Sequence, residues 1–255
     1  MPDTQTQSSA QNSVRTRTIA VVGATGAVGA EMLKCLERDA PESAKIRALA
    51  SPRSAGKKLA YRGGEIVVEA LSADSFAGVD IALFAASTTI AKEFAPVAQK
   101  AGAVVIDNSS AYRYEDDIPL VVPEVNGDEI ARHKGIIANP NCTAALMTMA
   151  LKPLHDVTPI VRVIASTYQA ASGAGAAAMQ ELEDSTRAYL NGETFEPKVL
   201  PHPYAFNLFS HNAGMNVATG YNGEEEKVMK EVKKIMRTPE MRVGITCIRV
   251  PVLRA

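Results

Sequence analysis

The run from Thr18 to Arg38 constrains this chain most. Thr18-Ile19-Ala20-Val21-Val22 is a short β-branched stretch, and Gly23-Ala24-Thr25-Gly26-Ala27-Val28-Gly29 follows it directly. Ala30 to Arg38 then carries apolar residues at helical spacing. A glycine at every third position between a strand and a helix serves three purposes. Gly23 permits the tight turn, Gly26 lets the backbone approach a pyrophosphate, and Gly29 lets the helix pack on the strand. Residues 18–38 therefore predict the opening of a dinucleotide-binding domain, with Gly23, Thr25, Gly26, Ala27 and Val28 beside the cofactor.

The chain then alternates. Strands are expected at residues 45–50, 79–86, 103–107 and 135–138, with a helix over 90–101 capped by Ser87-Thr88-Thr89. Such alternation predicts a parallel, doubly wound sheet whose ligands lie beyond the carboxyl ends of the strands. Ser87, Asn108, Ser109, Ser110 and the Asn139–Cys142 turn all follow strand ends and are expected to line one crevice. After the second strand, an NAD site usually carries an acid for the ribose hydroxyls. Here Ser51-Pro52-Arg53-Ser54 and Lys57-Lys58 stand instead, so Ser51, Arg53 and Ser54 predict a 2′-phosphate and hence NADP.

Asn139-Pro140-Asn141-Cys142-Thr143 leads from a strand into a helix expected over residues 142–152. A cysteine in a first helical turn sits where free N–H groups and the helix dipole favour negative charge. Cys142 reads as a covalent nucleophile, or else as a small residue filling a helix start. Cys35 and Cys247 read as small hydrophobes, Cys35 on a buried helix face. Three scattered cysteines make no disulfide framework or zinc cluster, and His133, His155, His202 and His211 have no metal-ligand spacing. None of the four is placed by sequence beside Cys142. Arg113, in a loop rich in hydroxyls, is a candidate anion clamp or a surface arginine paired to Glu115 or Asp116.

Beyond residue 158 the texture changes to long β-rich runs at 159–170 and 242–252. Helices are expected at 176–190 and 224–236, with an irregular connection over 191–222. The organisation predicted is a disordered tail over 1–17, an NADP-binding domain over 18–142 and an α+β catalytic and dimerisation domain over 143–255. Lys plus Arg is 27 against 28 for Asp plus Glu, a balance that argues against a dedicated nucleic-acid binder. No apolar run is long enough to span a bilayer, and the first 17 residues lack the apolar core of a secretory signal. A reducing compartment is expected, the cytoplasm or an organelle matrix.

Taken in order, these segments resemble the aspartate-β-semialdehyde dehydrogenases. The resemblance continues through Ser166-Thr167-Tyr168-Gln169-Ala170-Ala171-Ser172-Gly173, Ala205-Phe206-Asn207, Glu224-Glu225-Glu226-Lys227 and Arg249-Val250-Pro251-Val252. It implies NADPH-dependent reductive dephosphorylation of L-aspartyl-4-phosphate to the semialdehyde, in biosynthesis of lysine, threonine, methionine and isoleucine. A homodimer is implied too, with substrate and inorganic phosphate as its small-molecule partners and no metal. By the same resemblance Cys142 forms the thioester and Gln169 orients it. Arg113, Asn141 and Lys227 meet phosphate or substrate, Glu224 (or Glu225) and Arg249 hold the substrate's amino and carboxylate groups, and Asn108, Ser172 and Gly173 lie by the cofactor. Two departures stand out. Ala85-Ala86 replaces a glycine pair of the family. The family's acid/base histidine falls one residue beyond Ala255, which implies a C-terminally incomplete chain with turnover reduced about 10²–10⁴-fold.

Overall fold

The computed structural model describes residues 16–254; the tail expected over 1–17 lies outside it except for its last two residues. The first sheet contains β1 (Thr18–Val22), β2 (Lys45–Ala50), β3 (Lys58–Tyr61), β4 (Gly64–Ala70), β5 (Ile81–Phe84), β6 (Val104–Asp107) and β7 (Ile136–Ala138). Its order is β3-β4-β2-β1-β5-β6-β7, parallel throughout except for the antiparallel β3–β4 edge. Helices α1 (Ala27–Asp39) and α2 (Thr88–Lys100) cross over between strands. This is the doubly wound arrangement expected, and the order reverses between β1 and β5, where such sheets bind ligands.

The glycines sit as their spacing requires. Gly23 has φ +84°, and a Cβ there would lie 2.4 Å from the Ala85 carbonyl oxygen, across the β1–β5 switch point. A Cβ on Gly29 would lie 2.2 Å from the Gly23 carbonyl oxygen, so only glycine lets α1 approach its strand this closely. The helix itself begins at Ala27, three residues earlier than expected.

The β3–β4 hairpin has no counterpart in the sequence expectations. Its two-residue turn is Arg62-Gly63, both at positive φ, which matches the strand twist. Leu59, Ile66 and Val68 add it to the core formed with Leu33 and Ala48.

The second half follows α3 (Pro123–Asn126) and is built from α4 (Cys142–Val157), β8 (Arg162–Gln169), α5 (Ala176–Leu190), β9 (Phe209–Ser210), β10 (Met215–Asn216), β11 (Tyr221–Asn222), α6 (Gly223–Met236) and β12 (Arg242–Arg249). The sheet order is β8-β12-β9, with β8 and β12 parallel over eight residue pairs that end at Gln169 opposite Arg249. Helix α6 lays Val228, Val232 and Ile235 against Ala144 of α4 and Ile245 and Cys247 of β12, which joins the two halves of the chain in one core. Pro153 does not end α4: the proline lacks an N–H, but it lies on the exposed side of the helix. The connection after α5 is held by Glu181, whose buried carboxylate accepts the N–H groups of Lys198, Val199 and Leu200 at 2.6, 2.6 and 2.9 Å. No helix among the described residues is long and apolar enough to cross a membrane.

Candidate active site

Asn141 is the N-cap of α4. Its side-chain oxygen accepts the N–H groups of Thr143 and Ala144 at 2.8 and 3.4 Å, which leaves Cys142 in the first turn with its side chain exposed. Beside it opens a cleft of about 580 Å³, lined by Cys142, Gln169, Ser172, Gly173 and Arg249 among others. Three elements, α4, β8 and β12, thus present the candidate nucleophile, an amide and a cation to one space.

A fully buried carboxylate organises the turn. Glu231 Oε2 accepts the backbone N–H of Asn141 at 2.6 Å, and Oε1 receives Arg113 at 3.1 Å and the Tyr114 hydroxyl at 3.3 Å. Arg113 also donates to the carbonyls of Asn139 (3.0 Å) and Asn108 (2.8 Å). Its sequence-expected alternatives, Glu115 and Asp116, are therefore not its partners. The guanidinium is buried, and three of its five N–H groups are engaged in holding the turn.

Glu224 is the acidic residue that meets the cleft residues. Its Oε1 accepts Asn141 Nδ2 at 2.8 Å and Gln169 Nε2 at 3.3 Å, and Lys227 Nζ stands 3.8 Å from Oε2. Burial alone raises its pKa, but the Asn141 amide, the charges of His211 and Lys227 and the Gln169 amide outweigh it and hold the carboxyl below its ordinary value. Glu225, the alternative, is committed elsewhere. It closes a capping box with Asn222 and accepts the Cys247 N–H at 2.9 Å.

Arg249 is buried at the end of β12. It donates to the Ala170 carbonyl (3.0 Å) and Asn212 Oδ1 (3.2 Å), and its third nitrogen lies 2.7 Å from His211 Nε2. Among the described residues it enters no ion pair. His211 went unassigned in the sequence and is the functional candidate that reasoning missed. Pairing of β9 with β12 delivers it, through a His211 N–H to Cys247 carbonyl bond of 2.8 Å. Burial, then the Arg249 charge, depress its pKa to about 4, so the ring is neutral at neutral pH.

A second cleft of about 270 Å³ opens among Val22, Gly23, Ala50, Ser51 and Ala86, beyond the carboxyl ends of β1 and β2. Thr25, Gly26, Ala27 and Val28 are exposed at the start of α1. That helix has no side-chain N-cap bond and no acid in its first turn, so its N–H groups face outward unopposed, as a pyrophosphate site requires. Arg53 and Ser51 are exposed and Ser54 half-buried in the short turn after β2. Ser87 caps α2 through the Ile90 N–H at 3.4 Å, and Asn108 bridges the Phe84 carbonyl (3.2 Å) and Asn139 (2.5 Å). These bonds tie the ends of β5, β6 and β7 together. Ser109 instead turns inward to Asp107 at 2.7 Å.

The other cysteines separate. Cys247 is buried and its thiol is pushed up to about 11 by burial, which makes it inert. Cys35 was expected on a buried face but is exposed; α1 buries Gly29 and Leu33, and Cys35 points to another side of the helix. Among the described residues no group of His, Cys, Asp and Glu is placed to hold a metal ion.

A dinucleotide fold joined to a cysteine-bearing cleft defines a class. Residues 18–133 match the semialdehyde dehydrogenase NAD binding domain, and residues 151–255 match the semialdehyde dehydrogenase dimerisation domain. The aspartate-semialdehyde dehydrogenase of Synechocystis is 47% identical over 237 residues, which cover 93% of this chain and 70% of the relative. The crystal structure of aspartate semialdehyde dehydrogenase II from Vibrio cholerae complexed with ASA aligns with TM-score 0.90 at 41% identity, over 94% of this chain and 71% of that one. The enzyme with NADP from Candida albicans aligns with TM-score 0.66 at 25% identity, over 93% and 68%. The chain belongs to the aspartate-semialdehyde dehydrogenase family of oxidoreductases.

Two outcomes follow from this geometry. Glu231→Ala leaves Arg113 as an unpaired buried charge and is expected to lower stability by about 3–5 kcal/mol in urea unfolding; a loss below about 1 kcal/mol would contradict the network's role. His211 gives a pH signature. Its folded pKa (about 4) lies below its unfolded value of 6.5, so its contribution is complete above about pH 6.5 and is lost as pH falls toward 4. The melting temperature of the parent should drop through that window more steeply than that of His211→Gln, and parallel curves would refute the assignment.

Proposed function

We propose that this chain catalyses the reversible NADPH-dependent conversion of L-aspartyl-4-phosphate to L-aspartate 4-semialdehyde, within biosynthesis of the aspartate-derived amino acids in the cytoplasm. One observation carries the reading: an exposed cysteine in a first helical turn opens on the same cleft as Gln169 and a buried arginine that has no ionic partner among the described residues.

In the semialdehyde-oxidising direction, Cys142 Sγ adds to the aldehyde carbon to give a hemithioacetal, which becomes a thioester by losing its hydroxyl proton to solvent and a hydride that bound NADP⁺ would accept. A thioester keeps the acyl group activated, and a thiolate serves as both nucleophile and leaving group. The Gln169 amide, steadied by Glu224, orients the acyl group. Arg249 receives the substrate carboxylate and Glu224 its ammonium group. Phosphate then attacks the thioester carbon and releases Cys142. Lys227, half-exposed beside Glu224, is the freer cation for that phosphate. Arg113 acts mainly by holding the turn, with two N–H groups left to offer.

The nicotinamide dinucleotide, when bound, supplies the hydride acceptor or donor. The α1 N-terminus, Gly23 and the Ser51–Ser54 turn fit its pyrophosphate and ribose. Arg53, with no acid at the end of β2, favours the 2′-phosphate of NADP, and the Candida relative is described with NADP. We divide the chain at Cys142, the cofactor lying on 18–142 and the substrate and dimer contacts on 143–255. The outer face of β8, with Ile164 and Tyr168, and Leu146 and Val157 of α4 are exposed apolar positions suited to a second copy.

The reading is tested by acid-quenching the chain with semialdehyde and NADP⁺ and mapping the product by mass spectrometry. A thioester on Cys142, and at least about 10³-fold less phosphate-dependent NADPH formation in Cys142→Ser, are expected; an unmodified Cys142 with unchanged turnover in the variant would refute it. Sedimentation should give a dimer that Ile164→Arg with Tyr168→Arg converts to monomer. A parent that sediments as a monomer would remove the dimer from the proposal.

A further inference from the structure

His211 presents a hydrogen-bonding mismatch. Ala213 N–H donates to its Nδ1 at 3.1 Å, and Arg249 brings a guanidinium nitrogen to 2.7 Å from its Nε2. A neutral imidazole has one acceptor nitrogen, yet two donors approach this ring. The backbone N–H is fixed, so Nδ1 is the acceptor and the proton belongs on Nε2. That leaves an Nε2–H and an arginine N–H side by side with no acceptor between them. Arg249 is also a buried cation that no carboxylate matches among the described residues. Glu224, an acid whose charge acts on His211, is committed to the amides of Asn141 and Gln169. Arg249 lines the cleft and His211 meets its guanidinium, so two donors and one unmatched positive charge call for an anion with planar oxygens.

We propose that His211 is a specificity-determining residue, whose Nε2–H together with the Arg249 guanidinium forms a two-donor seat for the substrate's α-carboxylate. This rests on the reading of the cleft as the substrate site. It adds what that reading lacks, a second side chain that distinguishes a carboxylate from a neutral group at the same position. One carboxylate oxygen accepts from both donors, which turns the mismatch into two charge-assisted hydrogen bonds. His211 acts as a neutral donor throughout and transfers no proton.

The test uses the full chain carrying Cys142→Ala, so that binding stays non-covalent. Calorimetry gives the dissociation constants of L-aspartate 4-semialdehyde and of its analogue with the α-carboxylate replaced by a primary amide. His211→Leu is expected to weaken semialdehyde binding roughly 10-fold while leaving the amide unchanged. His211→Gln, which keeps an N–H donor, should restore most of the loss. Nitrogen-15 spectra of the parent should show the proton on Nε2. Equal losses for both ligands, an undiminished preference in His211→Leu, or a proton on Nδ1 would overturn the proposal. Arg249→Leu separates the two levels. If it abolishes the preference and His211→Leu does not, only the role of His211 fails. If neither variant alters the preference, the reading of the cleft as the substrate site fails with it.

Discussion

The buried Glu231 carboxylate is the contact on which the rest of the candidate site depends. A full negative charge without solvent is costly unless its oxygens are filled. Here they are filled by Arg113 and Tyr114 from the loop after β6 and by the backbone of Asn141. The loop, the turn before Cys142 and helix α6 are therefore set by one group. Arg113 extends the arrangement to Asn108 and Asn139, and Asn139 bonds Asn108 in turn. Displacement of any of these segments would strand a buried charge, so the nucleophile's position is defined by electrostatic necessity as well as by packing.

Around that anchor the two halves contribute different things. The doubly wound sheet supplies strand ends and a helix N-terminus with free N–H groups, which suit a phosphate-bearing cofactor. The second sheet supplies side chains. Its parallel register sets Gln169 opposite Arg249, so an amide and a cation emerge at one end of the sheet beside α4. Helix α6 packs on both α4 and β12 and brings Glu224 to the same place.

The strand–glycine–helix opening was legible because its causes are local: β-branched residues, glycines at three-residue spacing and a helical apolar stripe. The start of α4 at Cys142 and the bounds of α5 were legible for the same reason. The β3–β4 hairpin was not read, though Arg62-Gly63-Gly64 between alternating residues carries a turn signal. Glu231 was also overlooked. It lies in helical step with Glu224, Val228 and Ile235, on the apolar face of α6, where a charge has to find a buried partner. His211 carried no local signal, because its neighbourhood is made by pairing of β9 with β12. Cys35 was misplaced because α1 buries a narrower face than its composition suggests.

The parallel pairing of β8 with β12 also has a kinetic side. These strands are separated by α5, the long connection and α6, so closing them costs loop entropy that no local contact repays in advance. The strands of the first sheet and helices α1 and α2 come from nearer segments of the chain. Gln169 and Arg249 can meet only after the chain through β12 has been made, and during synthesis Cys142 is present before the strand that completes its cleft. A nascent chain thus passes through a stage in which every strand of the first sheet has been made and the Arg249 side of the substrate cleft has not.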